Sequence, residues 1–233
     1  MPTLPKSARL YLVAVSILAA CASNAFGQAR PWEYVPNLPY TAQIVTTYVE
    51  TNADGTRSVQ HEKLIVARDS QGRTRIEDFQ SCESCDANHP LMVNLYVPLR
   101  RQFIQLTPGR KTARVMTFPG KGPIPTHGLS FHAVKTTVEN LPGRTIHGIY
   151  AEGTRTTQVI PADDGHGPDI VNVEETWVSP DLKIVIFSKD TSTDPDSDQT
   201  TTETQQLDRS EPDAALFQIP ANYTIMETTA RPR

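Results

Sequence analysis

Residues 40–67 read YTAQIVTTYVET, then NADG, then TRSVQHEKLIVA. The two outer runs are rich in Thr, Val, Ile and Tyr, which are residue types that favour β-strands. The four residues between them have the composition of a tight turn. Two such runs joined by a short turn are typical of a β-hairpin, so we expect Tyr40–Thr51 and Thr56–Ala67 to form paired strands.

The same pattern of strands and turns continues along most of the chain. No segment of ten or more residues shows the apolar period of an amphipathic helix, and only one helical turn is expected, near Pro212–Leu216. A turn is expected at Leu141–Gly143. Further strands are predicted at Arg73–Phe79, Leu91–Val97, Gln102–Leu106, Thr112–Phe118, Val134–Glu139, Arg144–Ile160, Ile170–Val178, Lys183–Lys189 and Thr200–Asp208.

Two of these strands carry information about burial. Val134, Thr136 and Val138 alternate with polar residues, a pattern that predicts one buried face and one solvated face. Residues 184–187 are apolar without interruption, so their strand should lie in the interior of a sheet.

The composition agrees with an all-β domain of moderate core size. The 233 residues include 12 Gly and 19 Pro, which suit many turns, and an apolar fraction of 38%, which permits a modest core. There is no internal repeat and no linker of low complexity. Residues 30–233 are therefore expected to form a single domain of about ten antiparallel strands.

The first 29 residues have the organisation of a bacterial export signal. Lys6 and Arg9 precede an apolar run over residues 10–20, and small residues follow. An ordinary cut after Gly27 or Ala29 is one interpretation. The alternative is a lipobox ending at Cys21, whose thiol would be lipidated and would anchor the protein to the membrane. We favour the ordinary cut, because lipidation of Cys21 would leave only a short tether. The expected location is the periplasm, the cell envelope or the extracellular space.

The apolar run is shorter than a transmembrane helix, and no later segment approaches that length. No transmembrane span is therefore expected.

Cys82 and Cys85 form a C-x2-C pair in the exported part of the chain. A small disulfide or a free pair is the main interpretation. A thioredoxin-like site needs the second cysteine to enter a helix, whereas Pro90 and two nearby acidic residues argue against a reactive thiol. A zinc site from Cys82, Cys85 and His89 lacks a fourth ligand. We therefore expect neither a metal nor a cofactor here.

The charge and the remaining motifs exclude several classes of function. The net charge of −4 gives no basis for nucleic-acid binding. No metallohydrolase, nucleophile-elbow, phosphate-loop or dinucleotide motif is present, so we do not expect an enzyme. The acidic segment Asp194–Asp198 resembles a calcium loop but has Gln199 at the position that requires glycine, which predicts a solvated turn. Arginines 73, 75, 114 and 155 lie on strands, where they cover a sheet face or, alternatively, contact an anionic headgroup.

The C-terminal third resembles a known group of exported proteins. Trp177 lies on a strand just before a Ser-Pro-Asp turn, and residues 209–223 read RSEPDAALFQIPANY. This closing pattern is similar to that of the LolA- and LolB-like outer-membrane lipoprotein-sorting fold. The segments QGRTR at 71–75 and AEGTR at 151–155 also resemble an uncharacterised group of secreted acidobacterial-type proteins.

The resemblance implies a strongly curved, incompletely closed antiparallel sheet, or half-barrel, with an apolar hollow that holds lipid acyl chains in the carriers. The carriers cover this hollow with helices. Here residues 30–39 contain three prolines and cannot form such a helix.

Two functional hypotheses follow. The first is a non-enzymatic envelope protein that binds a lipid or another apolar ligand in a hollow lined by residues such as Val134, Val138 and Ile186. The alternative is a structural or interaction module with a filled core, which would work through a sheet face or an edge strand.

The C-terminal tail also yields a packing prediction. Leu216, Phe217 and Ile219 lie between Pro212 and Pro220, so the segment should fold back onto the sheet with Phe217 as a core anchor.

Overall fold

The computed structural model describes residues 33–52, 54–79, 89–120, 135–162, 168–194 and 197–229. Their helical content is limited to short 3-10 turns at Pro98–Arg100, Pro108–Arg110 and Ala214–Phe217. Twelve strands account for most of the described chain. They are β1 Tyr40–Thr51, β2 Arg57–Arg68, β3 Thr74–Phe79, β4 Met92–Val97, β5 Gln102–Thr107, β6 Thr112–Thr117, β7 Lys135–Ile146, β8 Ile149–Ile160, β9 Ile170–Ser179, β10 Ile184–Ser192, β11 Gln199–Asp208 and β12 Thr224–Thr229.

All twelve strands belong to one sheet, in the order β12-β6-β5-β4-β3-β2-β1-β11-β10-β9-β8-β7. Neighbouring strands are antiparallel except for β12, which runs parallel to β6. Pairing of β1 with β11 joins the two halves of the chain. The sheet is open, with β12 and β7 at its two edges. The predicted all-β, incompletely closed single sheet is therefore confirmed, with slightly more strands than expected.

The hairpin at residues 40–67 is confirmed. Register pairs Tyr40 with Arg68 and Thr51 with Arg57, so the two strands pair along their whole length. The turn is closed by the N–H of Gly55, which donates to the carbonyl of Asn52 at 2.9 Å.

The turn predicted at residues 141–143 is wrong. Strand β7 runs through these residues with a shift of register between Leu141 and Arg144, and the reversal comes later, at His147 and Gly148. Their φ angles are 50° and 78°. A two-residue hairpin turn of the I′ type requires positive φ at both positions, and glycine adopts positive φ without a steric penalty. Pro142 is tolerated because β7 lies at the edge of the sheet.

The strand β12 was not expected from the sequence. It follows the 3-10 turn of the tail and returns beside β6, where the N–H of Thr224 donates to the carbonyl of Lys111 at 2.9 Å. The register then pairs Thr224 with Thr112 and Thr229 with Thr117.

The buried apolar residues form two clusters. The first, which we call the main cluster, contains Tyr40, Ala42, Val66, Ile76, Tyr96, Ala151, Trp177, Leu182, Ile184 and Ile186. The second, which we call the tail cluster, contains Val93, Leu95, Ile104, Leu106, Ala113 and Val115, with Val97, Ile219 and Tyr223 packed against it.

The burial predictions for two strands have different outcomes. Strand β10, which holds residues 184–187, lies between β9 and β11, as expected for an interior strand. Strand β7 does not bury one face: Thr136 and Val138 are exposed like their polar neighbours. Farther along β7, Leu141 and Ile146 are partly buried and pack against the main cluster, but the described residues of the predicted alternation, 135–139, are all exposed.

Candidate functional site

The tail is positioned on the sheet by one buried aromatic ring. Asp213 caps the 3-10 turn Ala214–Phe217, and its Oδ1 accepts the N–H of Ala215 at 2.9 Å. Phe217 is only 5% exposed, which confirms the predicted core anchor. Leu216 is 37% exposed, so the expectation that it packs on the sheet is wrong. The short turn directs only one of the two side chains toward the sheet.

The turn between β2 and β3, together with the first residues of β3, holds the tail against the sheet. The N–H and hydroxyl of Ser70 both donate to the carboxylate of Glu211, at 3.0–3.2 Å. The guanidinium of Arg73 lies 4.8 Å from the ring centre of Phe217. Arg75 donates from Nη1 to the carbonyl of Leu216 at 2.8 Å. These contacts, which we call the tail clamp, fix the path of the tail across the sheet.

The same turn is itself held in place by buried groups. The carboxylate of Asp69 is buried and accepts both the backbone N–H of Arg73, at 2.8 Å, and its Nε, at 2.6 Å. Gly72 has a φ of 74°, and a Cβ there would lie 3.0 Å from the ring of Tyr34. The motif at 71–75 therefore has a structural role, because its glycine admits Tyr34 and its arginines hold the tail.

The motif at 151–155 also has a structural role. A Cβ on Gly153 would lie 2.5 Å from Nε1 of Trp177, so the glycine makes room for the indole. Arg144 stacks over the same indole at 3.6 Å. The guanidinium of Arg155 is bonded to Glu139 and Glu175 at 2.6 Å each.

These ion pairs bear on the proposed contact with an anionic headgroup. Arg73, Arg75 and Arg155 each have a carboxylate within the protein, at Asp69, Glu77 and Glu175 respectively. They therefore serve the fold. Arg114 is exposed on β6.

A cleft of about 540 Å3 lies between the tail and the sheet, beside the tail cluster. We call it the tail cleft. Its volume is in the range of small-molecule pockets. Its apolar lining consists of Val97, Pro98, Leu99, Ile104, Val115, Phe217, Ile219 and Ile225, and its polar lining of Gln71, Arg73, Arg100, Gln102, Gln218 and Glu227.

The mouth of the tail cleft exposes apolar side chains to solvent. Leu99 is 69% exposed and Ile225 is 52% exposed. Large apolar side chains grouped at a cleft are a common mark of a binding surface. Sequence reasoning missed this site because the cleft combines residues of the tail and of β12 with residues of β4, β5 and β6, and the pairing of β12 with β6 could not be predicted from the sequence.

The hollow expected on the sheet is not formed by the residues named for it. Ile186 is 0% exposed and packed within the main cluster, whereas Val138 is 55% exposed on the edge strand β7. Val134 lies outside the described residues. Val138 and Ile186 therefore do not line a common hollow.

A row of carboxylates lies on one face of the sheet, away from the tail cleft. Register places Asp190 of β10 directly opposite Glu174 of β9. Burial, assisted by the charge of Glu174, raises the pKa of Asp190 to about 6. On β2, Glu62 accepts the phenol of Tyr48 at 2.8 Å. Burial first, and then the charge of Glu62, raise the pKa of Asp78. We call these four carboxylates the acid row.

A second cleft, of about 600 Å3, lies at the tip of the hairpin β7–β8. It is lined by His147, Tyr150, Asp181 and Arg209 together with neighbouring residues. The imidazole Nε2 of His147 lies 3.7 Å from Glu203. The mixture of acidic and basic groups favours no particular ligand.

The cysteines of the sequence analysis, Cys21, Cys82 and Cys85, lie outside the described residues. Within the described ranges, no group of three or more His, Cys, Asp or Glu side chains could hold a metal ion. The acidic turn at 194–198 is described only in part. No helix in the described part of the chain has the length and apolar character needed to cross a membrane.

Comparison with known proteins finds similarity at the level of fold. No family model matches the sequence, and no curated protein does. Among solved structures, the chain is similar to MucB in its complex with MucA(peri), at 13% identity and a TM-score of 0.42. The match covers 80% of this chain and 56% of MucB, so the chain spans little more than half of that protein.

Two further structures belong to the group that the tail resembles. A LolA superfamily protein from Nitrosomonas europaea matches at 6% identity and a TM-score of 0.36, covering 86% of this chain and 96% of its own. An outer membrane lipoprotein-sorting protein domain from Vibrio parahaemolyticus matches at 10% identity and a TM-score of 0.30, covering 76% and 88%. The solved structures that the chain is similar to thus include members of the group that its sequence resembles, and the likeness to the acidobacterial-type group stays a prediction.

Proposed function

We propose that the protein is an exported, non-enzymatic binding protein of the cell envelope that holds one apolar chain in the tail cleft. The observation that supports this most strongly is the cleft itself, which has the volume of a ligand pocket and a lining that includes eight apolar side chains. Four of these side chains belong to the tail cluster or pack against it, and Phe217 is held in place by the tail clamp.

The mouth of the cleft favours an apolar ligand. Leu99 and Ile225 are exposed there, and covering them would remove apolar surface from water. Such burial contributes roughly 25 cal/mol per Å2. An acyl chain lying along the cleft would cover both side chains and reach toward Phe217.

The polar side chains of the cleft suit a polar end on the ligand. Gln71, Gln102 and Gln218 can donate and accept hydrogen bonds, and Arg100 adds an exposed cation. Glu227 also lines the cleft and offsets the charge of Arg100, while Arg73 is already paired with Asp69. The ligand class is therefore an amphiphile, a lipid or fatty acid in particular.

A fluorescent fatty acid tests this proposal. cis-Parinaric acid is titrated into the protein that begins at residue 30, and into Leu99→Glu, which places a charge at the exposed mouth. We expect saturable binding that the substitution weakens by about tenfold or more, the equivalent of roughly 1.4 kcal/mol. Val138→Glu is the matched control, because Val138 is similarly exposed but lies on the opposite edge of the sheet. Equal binding by all three proteins, or none by any, would contradict the proposal.

A second candidate is the interaction module, which one observation favours. No described residue pairs with the outer side of β12, although that strand has the backbone geometry of a regular ladder.

A further inference from the structure

The two edges of the sheet differ in how well they resist pairing with another chain. Edge strands are commonly protected by proline, by bulges and by charges. Strand β7 has Pro142, a register shift between Leu141 and Arg144, and charged side chains along its length. Strand β12, TIMETT, has no proline, no register shift against β6 and one charged residue, Glu227. Only the β12 edge is thus suited to accept a further strand.

The backbone of β12 presents its free groups to the outside. Thr224 donates its N–H to Lys111 of the sheet, and the register with β6 is regular. Because successive residues of a strand direct their N–H and C=O to opposite sides, Ile225, Glu227 and Thr229 direct theirs away from β6. Three pairs of backbone groups therefore lie along an edge that no described residue covers.

The side chains of the edge define what a partner strand should carry. Ile225 and Glu227 pair in register with Ala113 and Val115 of the tail cluster, so they lie on that face of the sheet. Cross-strand neighbours on one face interact, and opposite charges and apolar pairs stabilise the pairing. An antiparallel partner that matches this edge has a basic residue opposite Glu227 and, two residues later, an apolar residue opposite Ile225.

Self-pairing of β12 fits the edge less well. The strand contains no Lys or Arg, so a second copy in antiparallel register could not supply a cation opposite Glu227. If the pairing were centred on Glu227, two carboxylates would face each other, which is destabilising.

We propose that the β12 edge binds an extended segment of another polypeptide with the pattern basic-x-apolar, which adds to the sheet as a thirteenth, antiparallel strand. Main-chain hydrogen bonds to Ile225, Glu227 and Thr229 supply the attachment, and Glu227 sets the register. The attachment uses the backbone edge, whereas the side chains of Ile225 and Glu227, which set the register, also line the tail cleft.

A labelled peptide tests the proposal. The probe is the octapeptide Thr-Val-Thr-Lys-Thr-Val-Thr-Thr, with a fluorophore at its N-terminus, and binding is followed by fluorescence anisotropy with the protein that begins at residue 30. We expect millimolar or tighter affinity, loss of binding when alternate peptide amides are N-methylated, and protection of the Ile225 and Glu227 amides in hydrogen exchange.

A charge exchange provides the control for register. Glu227→Lys should weaken binding of the lysine peptide by about fivefold, and the variant should prefer a peptide with Glu in place of Lys by a similar factor. Absence of binding at millimolar concentration, or binding that ignores N-methylation, would overturn the proposal. A concentration-dependent dimer that the peptide does not dissociate would overturn it too, because a second copy would then occupy the edge.

Discussion

The tail cluster and the acid row lie in one sheet but are stabilised in opposite ways. The tail cluster is dry: Leu95, Leu106 and Ala113 are almost completely buried, and Phe217 is clamped nearby. In the acid row, Asp190 instead lies partly buried opposite Glu174, which disfavours the charged form of Asp190. The first region should govern the stability of the domain, and the second should make that stability depend on pH.

The largest expected loss of stability follows from removal of the Phe217 ring, which anchors the tail. Phe217→Ala should lower the free energy of unfolding by about 3–5 kcal/mol, because it leaves a cavity beneath the tail and removes the stacking partner of Arg73. Equilibrium urea denaturation measures this. The neighbouring Leu216→Ala is the control and should cost less than about 1 kcal/mol, since Leu216 is exposed. Similar costs for the two variants would mean that the tail has no preferred buried side.

A smaller loss of stability is expected at Gly153, which leaves room for the indole of Trp177. Gly153→Ala places a methyl group against the indole and should cost about 1–3 kcal/mol through overpacking. Gly109→Ala is the matched control, because a Cβ there meets nothing within 4 Å. Denaturation followed by tryptophan fluorescence would show the difference. No loss in Gly153→Ala would indicate that the indole can move aside freely.

The acid row predicts a pH-dependent change in stability that is comparable to, or smaller than, the loss expected for Gly153→Ala. Burial raises the pKa of Asp190 to about 6, so the folded state binds its proton more tightly than the unfolded state does. The stabilising contribution is fully present below the unfolded pKa of about 3.9 and is lost as pH rises through about 6. Asp190→Asn should therefore stabilise the protein by about 1–2 kcal/mol at pH 7.5 and have little effect at pH 4.

Asp208 is a control of opposite sign for this prediction. Hydrogen bonds from Ser210 lower the pKa of Asp208, so Asp208→Asn should give no stabilisation at pH 7.5. Denaturation of both variants at the two pH values distinguishes the effect of burial from a general effect of net charge. If Asp190→Asn destabilised the protein at pH 7.5, the acid row would instead be a network of carboxylates that stabilises the folded state.

The smallest expected effect concerns the outer part of the tail clamp. Glu211→Gln removes a charge-assisted bond to Ser70 at an exposed position and should cost less than about 1 kcal/mol. Urea denaturation at low and high salt should show the loss mainly at low salt. A loss of stability approaching that of Phe217→Ala would mean that this bond, and not the Phe217 ring, anchors the tail.

Much of the fold could be predicted because strand signals are local. The hairpin at residues 40–67 has both a strong β composition and a turn of the expected type, and its first strand has the predicted bounds. The reversal of β7 was misplaced because Pro142 and Gly143 resemble a turn, whereas His147 and Gly148 form one through positive φ. Strand β12 has no alternating pattern, and only its pairing with β6 makes it a strand.

The candidate site was less accessible to sequence reasoning. Phe217 was identified because prolines on either side prevent a regular ladder. The tail cleft, however, combines residues from β4, β5, β6, β12 and the tail, and its existence depends on contacts across more than a hundred residues, such as Arg75 with Leu216. The acid row likewise appears only when register brings Asp190 opposite Glu174.

The central claim, that the tail cleft holds an apolar chain, is tested most directly by hydrogen exchange with and without saturating palmitate. Mass spectrometry of the protein that begins at residue 30 would report protection segment by segment. We expect slower exchange in residues 97–104 and 217–227, which border the cleft, and no change in β7 and β8 at the other edge. Protection confined to β8–β11, or no protection at saturating palmitate, would contradict the claim.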